Sequence, residues 1–309
     1  MPAYNAAKYI RSAIRSVLDQ SFKEFELLII NDGSTDNTVQ LIQSFDDSRI
    51  RLINQTNQGI ASALNLGLLN ANTPVIARFD ADDICMNERL EVQYDFLTRN
   101  PDYYIVGCNA EYMDMRGDYV FTYYMPAQFH ENIAELSLHK CPFIHSAVMF
   151  RKAPILRAGG YDVNAFAFED HFLWSKVLTQ GRGFNISQAL IKVRLNPESI
   201  SIDEKWRTRR FREIKAKSIM KGLISEEDGK ELRSIIKRQN NARIKEGSYY
   251  SLLGKKYLWN NHQPQMARAN LRKAIQIHPG RMDSYAIMLL SYFPKQFVNW
   301  VYSKKLQRS

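Results

Sequence analysis

Short apolar segments alternate with segments of helical periodicity over the first hundred residues, and this alternation limits the possible folds more than any other feature. Residues 26–31 and 73–79 are brief apolar runs of the kind that form buried strands. Residues 8–18 and 87–99 carry apolar side chains at helical spacing. This repeated order predicts an α/β sheet flanked by helices, with functional residues at the carboxyl ends of its strands.

The net charge of +10 is unevenly distributed along the 309 residues. Residues 1–200 contain 18 basic and 23 acidic residues, a net charge of −5. Residues 201–309 contain 24 basic and 9 acidic residues, a net charge of +15, and are helical in pattern almost throughout. We therefore predict an acidic α/β domain at 1–200 and a basic all-α domain at 201–309.

Cysteine content and hydropathy exclude several classes of protein. Cys85, Cys108 and Cys141 are too few and too widely spaced for a disulfide framework or a zinc knuckle, and they favour a reducing compartment. No run approaches the ~18–20 uninterrupted apolar residues of a transmembrane helix, and the first residues lack the pattern of a signal peptide. We predict a cytoplasmic protein, either free or docked on the cytoplasmic face of a membrane.

The basic C-terminal domain has three interpretations. A pI of 9.4 and the basic segment 206–221 are typical of nucleic-acid-binding proteins. No nucleic-acid-binding motif is present, however, and the acidic domain disfavours that partner, so we expect no nucleic acid. A solvated basic face is the second interpretation. The third is docking on an anionic membrane surface at ~1 kcal/mol per Lys or Arg, with apolar residues of 285–300 adding an interfacial face.

Asp80-Ala81-Asp82-Asp83, directly after an apolar run, is the strongest local signal for chemistry. Carboxylates one residue apart at a strand end can turn toward one ion. Their oxygens suit a hard divalent cation such as Mg²⁺ or Mn²⁺, which usually also binds substrate phosphates. A solvated acidic turn or helix start is the competing interpretation of this motif in isolation.

Four more candidate residues stand in loops, at predicted strand ends or at predicted helix starts. Asp32 can accept hydrogen bonds from a ligand above the sheet, and Tyr4 can stack on a nucleobase. Gly59 precedes a helix of small residues. Asp170 can act as a general base where a cleft reduces its solvation, although a helix-start carboxylate is an equal alternative.

In order and spacing, these motifs resemble those of family 2 glycosyltransferases, inverting enzymes with the GT-A fold. The resemblance covers about residues 1–200 and rests on Pro2-Ala3-Tyr4-Asn5, Asn31-Asp32-Gly33-Ser34-Thr35-Asp36, Asn57-Gln58-Gly59, Asp80-Ala81-Asp82-Asp83 and Glu169-Asp170. It implies a mixed sheet flanked by helices, a nucleotide-sugar donor that is most often a UDP-sugar, and Mg²⁺ or Mn²⁺. It also implies a hydroxyl acceptor in a polysaccharide, a lipid-linked oligosaccharide or a glycoconjugate.

The resemblance also implies roles for individual residues. Asp170 would be the catalytic base, and Asp82, with Asp80, would hold the metal that bridges the diphosphate. The donor-binding residues would be Ala3, Tyr4, Asp32, Gly59, Asp80, Asp82, His145 and Arg194. A buried structural role for His145 and a surface ion pair for Arg194 are equal alternatives.

The start of the chain departs from the family pattern. An apolar strand normally leads into Pro-x-Tyr-Asn, whereas Met1 directly precedes Pro2 here. We therefore expect the first strand to be absent, through truncation or a misassigned start, and neighbouring strand edges and apolar surface to be exposed. Asn31 stands where the family usually has a second aspartate, and Asn196 where relatives often have a histidine.

Three functions from different classes remain open at this point. The first is an inverting glycosyltransferase. The second is a non-catalytic module of the same fold that binds a sugar nucleotide or scaffolds a complex, and the third is a basic nucleic-acid-binding protein. A nucleotidyltransferase is a weaker alternative, because no Gly-rich basic phosphate loop occurs near the start.

Overall fold

The computed structural model describes residues 1–199, 202 and 207–306. The predicted domain boundary at residue 200 and Trp206, in the predicted basic segment, lie outside the described residues. Within the described ranges the chain divides into two compact units. The first comprises Met1–Glu111, Tyr123–Val193 and Arg209–Ser234, and the second comprises Tyr112–Thr122, Arg194–Thr208 and Ile235–Ser309.

The chain begins with a small parallel sheet. Its strands, in spatial order, are β1 (Pro2–Ala3), β2 (Leu27–Asp32) and β3 (Ile50–Gln55). The connecting helices are α1 (Ile10–Leu18), α2 (Thr38–Gln43) and α3, which follows β3 (Ile60–Asn70). The register pairs Ala3 with Asn31 and Asp32 with Gln55, so the polar strand ends lie side by side. This part confirms the predicted alternation.

A second sheet of six strands departs from the parallel order. Its strands are β4 (Val75–Ala77), β5 (Ile84–Cys85), β6 (Tyr103–Met113), β7 (Tyr119–Tyr123), β8 (Met149–Arg151) and β9 (Arg182–Arg194). They are ordered β4-β8-β6-β9-β5, with β7 on β6, and the pairs β4–β8, β6–β8 and β5–β9 are antiparallel. A short strand that is buried on both faces has the same apolar pattern whether it pairs in parallel or antiparallel. The sequence therefore does not distinguish the two directions.

Along the chain, four α-helices and a short 3₁₀ helix lie between the strands of this second sheet. They are α4 (Arg89–Arg99), α5 (His130–Ser137), the 3₁₀ turn His145–Ala147, α6 (Lys152–Arg157) and α7 (Glu169–Val177). The core that includes α7 centres on Trp174, which is fully buried and packs edge-on against Phe143 and Tyr161. The large aromatic side chain of Trp174 therefore holds helix α7 in the core, and this packing does not depend on the first turn of the helix.

The first strand, which the sequence predicts to be absent, is present as the two-residue β1, paired in parallel with β2. The Met1 ammonium donates to the carbonyl oxygen of Leu28 at 2.8 Å, and burial lowers its pKa to about 5. An apolar cavity of about 290 Å³ lies between side chains of β2 and β4, including Ile30 and Val75. Its position agrees with the expected exposure of strand edges and apolar surface.

The rest of the described chain is helical, as the sequence predicts. The helices are α8 (Arg209–Lys221), α9 (Glu226–Gln239), α10 (Ala242–Trp259), α11 (Pro264–Ile277), α12 (Met282–Leu290) and α13 (Lys295–Leu306). Helix α8 belongs to the first unit, where Phe211 packs edge-on against Phe168 at 6.2 Å between ring centres. Among the described helices, none is both long and apolar enough to cross a membrane.

Candidate active site

Asp32 joins the end of β2 to the start of α3. Its side chain is buried, and Oδ1 accepts hydrogen bonds from Gln55 Nε2 at 2.6 Å and from the Gln58 N–H at 2.8 Å. Its Oδ2 accepts from the N–H of Gly59 at 2.9 Å. The carboxylate thus satisfies backbone donors at a helix start, where negative charge is favoured.

Two glycines allow this loop to close. Gly33 has φ +72°, and a Cβ atom there would lie 2.7 Å from the backbone nitrogen of Asn57. Gly59 has φ +87° and ψ 166°, a conformation that is essentially restricted to glycine. Both positions are therefore required by backbone geometry, whatever a ligand does at this edge.

Tyr4 is presented next to the same loop. Its side chain is 52% exposed, whereas Ala3 is buried in the sheet. The following residue, Asn5, accepts from the Thr35 N–H at 2.8 Å and donates its own N–H to Ser34 Oγ at 3.0 Å. These bonds hold the backbone next to Tyr4 at the polar strand ends, and its exposed ring is of the kind on which a planar base can stack.

The acidic turn after β4 brings three carboxylates together. One oxygen from each of Asp80, Asp82 and Asp83 lies within 4.8 Å of the other two. Asp83 is buried, and Asp80 and Asp82 are half-buried. Carboxylate oxygens in this number fit Mg²⁺ or Mn²⁺, both of which prefer hard oxygen ligands.

A buried arginine that sequence reasoning missed holds the backbone before this turn. Arg89 of α4 is fully buried and donates to the carbonyl oxygen of Arg78 at 2.7 Å and to that of Val148 at 3.3 Å. Its Nε donates to Gln93 Oε1 at 3.0 Å, and Gln93 Nε2 donates to the Ala147 carbonyl at 2.8 Å. These contacts fix β4 against β8 immediately before the acidic residues.

The second acidic pair begins α7. The half-buried Asp170 accepts the N–H of His171 on Oδ1 at 2.7 Å, and the Cys141 thiol donates to Oδ2 at 3.5 Å. Burial raises the pKa of Glu169 to about 7, and the neighbouring charge of Asp170 adds to the effect. Burial likewise raises the pKa of Asp170, while Lys215 of α8 and Arg78 oppose the shift.

Tyr161 lies among the acidic groups of both motifs. Burial raises the pKa of its hydroxyl, with Asp170, Glu169 and Asp80 acting in the same direction and Arg78 against them. The hydroxyl is 3.1 Å from Nε2 of His145. Burial lowers the pKa of His145 well below its ordinary value, so its ring is neutral at pH 7. The structure thus brings Asp80, His145 and Asp170 into one electrostatic neighbourhood.

Asn65 of α3 fixes the loop that leads to α7. Its side chain donates to the Tyr161 carbonyl at 2.8 Å and accepts the Tyr161 N–H at 2.9 Å. These two bonds span 96 residues of sequence, so no local pattern predicts them. They connect the Asp32 edge, through α3, to the segment before the candidate base.

Arg194 lies in the second unit, at the end of β9. Its guanidinium donates to the backbone carbonyl oxygens of Asp114 and Met115 at 3.2 and 3.3 Å. These bonds give it a role in holding the turn between β6 and β7. Its predicted contact with the donor stays a prediction.

Comparison with known proteins identifies relatives of this chain. The family model for glycosyl transferase family 2 matches residues 1–158. A UDP-Gal:alpha-D-GlcNAc-diphosphoundecaprenol beta-1,3-galactosyltransferase of Escherichia coli is 33% identical over 199 residues, which cover 62% of this chain and 70% of the relative. The Escherichia coli O-antigen biosynthesis glycosyltransferase WbnJ is 29% identical over 64% of this chain and 79% of its own.

Solved structures show the same fold at low sequence identity. S. aureus TarS 1-349, in complex with UDP-GlcNAc, superposes with a TM-score of 0.55 at 18% identity, over 98% of this chain and 90% of that one. The mannosyltransferase PcManGT from Pyrobaculum calidifontis, in complex with GDP-Man and Mn²⁺, gives 0.53 at 17% identity, over 97% and 85%. The family match spans half of the chain and includes the Asp32 loop and the acidic turn, so this chain belongs to glycosyl transferase family 2 and is a glycosyltransferase with the GT-A fold.

Proposed function

We propose that this glycosyltransferase moves a sugar from a nucleoside-diphosphate donor, first of all a UDP-sugar, to a hydroxyl acceptor with inversion at the anomeric carbon. The proposal rests on one observation. A turn with three carboxylates suited to a divalent cation lies in the same electrostatic neighbourhood as a half-buried carboxylate pair with raised pKa values. The first group of residues suits a divalent cation, which would bind the diphosphate, and the second suits removal of a proton.

Asp170 is the residue best suited to act as base. Its raised pKa makes its carboxylate a stronger proton acceptor than an exposed aspartate. It takes the proton of the acceptor hydroxyl while that oxygen forms a bond to the anomeric carbon and the bond from that carbon to the diphosphate oxygen breaks. General base catalysis of this kind typically contributes ~10²–10⁴-fold to the rate.

The donor is held by residues of the acidic turn after β4, of the strand ends and of the loops beside them. Tyr4 stacks on the base, and Asp32, already oriented by three donors, accepts from the ring N–H. Asp80 and Asp82 would hold Mg²⁺ or Mn²⁺, and the bound cation would supply Lewis-acid stabilisation of negative charge on the diphosphate. Ala3, Gly59 and His145 complete the proposed donor contacts of the first unit, and the donor contact of Arg194 stays a prediction from the sequence.

Nucleotide release from a panel of UDP-, GDP- and dTDP-sugars tests the donor class. We expect release from one class only, loss of release with a chelator, and recovery with Mn²⁺ or Mg²⁺. The anomeric configuration of the product, measured by NMR, tests inversion. Release that is unaffected by the chelator would contradict the metal assignment, and a retained configuration would contradict the role of Asp170.

The acceptor proposed here is a saccharide carried on a lipid diphosphate. The support comes from the Escherichia coli relative, whose name specifies UDP-Gal and GlcNAc-diphosphoundecaprenol. We therefore expect UDP-galactose and a synthetic GlcNAc-diphospholipid to be the first productive pair to test. Transfer to a free oligosaccharide, and none to the lipid-linked sugar, would contradict this acceptor class.

We propose that an anionic membrane surface is a partner of the second unit. Leu289, Tyr292 and Trp300 of the α12–α13 segment are 66%, 62% and 57% exposed, and Lys295 and Lys304 are exposed in the same segment. Exposed aromatic and aliphatic side chains beside cations are typical of interfacial helices. This segment belongs to a part of the chain whose charge is strongly positive.

Sedimentation with lipid vesicles tests this partner. We expect the protein to bind phosphatidylglycerol vesicles at low salt and to bind phosphatidylcholine vesicles much less. Leu289→Ser should weaken the binding, whereas Leu69→Ser, at a 69% exposed position on α3 of the acidic unit, should not. Equal partitioning to both kinds of vesicle would contradict membrane docking.

A further inference from the structure

Arg78 is the first residue after β4 and lies two residues before Asp80. Its side chain is only 3% exposed, and NH1 donates to Oδ2 of Asp80, whose side chain is 33% exposed. Its Nε–H is buried and has no acceptor among the described residues. A buried guanidinium with an unused donor is costly, because the donor has lost its water without gaining a partner.

Arg89 shows how this chain satisfies an arginine that serves the fold alone. It is as deeply buried as Arg78, yet its Nε, NH1 and NH2 groups all have acceptors in the protein. The acceptor of NH1 is Cys85 Sγ, at 4.0 Å. The two side chains lie close together, since Arg89 NH2 donates to the carbonyl of Arg78. The contrast indicates that the unused donor of Arg78 is kept for a ligand.

The surroundings of Arg78 indicate which ligand fits. Its bond to Asp80 places it at the acidic turn, and its charge acts on Tyr161, Glu169 and Asp170. It is therefore a cation between the proposed metal ligands and the proposed base. When Asp80 ligates a cation, its oxygens are shared, and the guanidinium is left with less negative charge to pair with.

We propose that Arg78 binds the sugar-bearing phosphate of the donor, exchanging its bond to Asp80 for phosphate oxygens. A planar guanidinium can donate Nε–H and one terminal N–H to two oxygens of one phosphate. In Arg78 these are the Nε–H that has no acceptor among the described residues and the terminal N–H that would leave Asp80. The same contact stabilises the negative charge that this phosphate gains as the glycosidic bond breaks. This inference rests on the proposed nucleoside-diphosphate donor.

Nucleotide binding, measured by calorimetry, separates this contact from the rest of the site. UDP carries the second phosphate and UMP does not, so each protein is titrated with both, once with Mg²⁺ and once with a chelator. For Arg78→Gln and Arg78→Lys we expect UDP to bind ~10- to 100-fold more weakly than to the unchanged protein, as is typical for loss of a charged hydrogen bond. UMP should bind within about threefold of its original affinity, and the difference should persist without metal.

Arg89→Lys is the matched control, because it removes a buried guanidinium from the same backbone segment. It should lower the melting temperature while leaving the ratio of UDP to UMP affinity unchanged. An unchanged ratio in both Arg78 variants would overturn the assignment of Arg78 alone. The proposed diphosphate donor and this inference would both be overturned if the unchanged protein bound UDP no more tightly than UMP. The same result would have to hold for GDP against GMP and for dTDP against dTMP.

A measurement on the unchanged protein covers the case in which the Arg78 variants do not fold. Arginine Nε–H groups are observed individually in ¹⁵N–¹H NMR spectra, and a buried one is protected from exchange with water. We expect one protected Nε–H resonance to shift on addition of UDP and to remain in place with UMP. If all protected Nε–H resonances respond equally to the two nucleotides, the proposed contact is absent.

Discussion

The carboxylates at the two ends of the site differ in their hydrogen bonding and in their electrostatic surroundings. Asp32, at the end of β2, is 4% exposed and accepts hydrogen bonds from three donors of this chain. Glu169 and Asp170, at the start of α7, repel one another in a poorly solvated position, and their pKa values are raised. The first arrangement satisfies the carboxylate with hydrogen bonds from the protein, and the second leaves two carboxylates prepared to accept a proton.

The difference shows how a rigid scaffold and a reactive group share one unit. Satisfied hydrogen bonds at the Asp32 edge keep the loop from 55 to 59 in one conformation. At α7 the hydrophobic packing of Trp174 holds the backbone, so the carboxylates need not contribute to stability. Substitutions at the two ends should therefore affect different quantities.

Asp170→Asn should produce the largest effect. An amide cannot take the proton of the acceptor, so we expect turnover to fall ~10²–10⁴-fold while nucleotide binding and melting temperature change little. Steady-state kinetics, calorimetry and thermal unfolding measure the three quantities. Asp95→Asn, in an exposed ion pair on α4, is the control. Near-normal turnover in the Asp170 variant would remove this residue from the mechanism.

Asp32→Asn should lower stability and, through the proposed contact with the nucleobase, also nucleotide affinity. The amide group turns an N–H toward a donor at Gln55, Gln58 or Gly59, so we expect the free energy of unfolding to fall by about 2 kcal/mol. Chemical denaturation measures the loss, and Asp46→Asn at an exposed position on the same unit is the control. If the unfolding midpoint is unchanged, the hydrogen bonds of Asp32 do not stabilise the fold, and the comparison fails at this end.

Two glycine substitutions separate backbone strain from steric overlap at the Asp32 edge. Gly59→Ala should cost about 1–3 kcal/mol, because its conformation is strained for other residues although no atom lies within 4 Å of the added Cβ. Gly33→Ala should cost more, since it adds a contact of 2.7 Å with the backbone of Asn57. Equal losses of stability in the two variants would show that the loop moves to accommodate the methyl group.

The smallest effect is a shift in the pH profile. Protonation inactivates a base, so kcat/KM should fall as pH decreases through the raised pKa values of the Glu169–Asp170 pair. Glu169→Gln removes one negative charge and should lower the pKa of Asp170, moving the acid limb down by about 1 pH unit. Superimposable profiles for the two proteins would show that the carboxylates titrate independently.

The pH dependence of folding stability should be opposite to that of kcat/KM. The pKa of Glu169 is raised to about 7 in the folded protein from an ordinary value of 4.5. The folded state therefore binds this proton more tightly, and the stability it provides is lost as pH rises from about 4.5 through 7. Denaturant midpoints measured over this range, compared with those of Glu169→Gln, isolate the contribution.

The sequence predicts those parts of the site that follow from local pattern. Asp32, Asp80 and Asp82 stand at or just after short apolar runs, and the predicted helix at 169 begins where α7 begins. The family, the fold and the helical C-terminal part are confirmed. The individual roles of these residues and the domain boundary stay predictions.

The remaining features depend on contacts between distant parts of the chain. Asn65 bonds to Tyr161, 96 residues away, and the Cys141 thiol reaches Asp170 across 29 residues. Helix α8 belongs to the first unit, although its composition resembles that of the basic helices after it. Such pairings are determined by packing of the whole unit, and no segment of sequence contains a pattern for them.

The depth of the two neighbouring arginines has a consequence for how ionic strength affects the enzyme. At 0.1 M salt, interactions between exposed charges more than about 10 Å apart are largely screened, whereas buried charges are screened much less. Arg78 and Arg89 lie almost completely away from solvent, whereas many lysines and arginines of the C-terminal helices are exposed. Added salt should thus release the protein from an anionic surface, while the part of donor affinity that comes from the buried Arg78 guanidinium stays nearly constant.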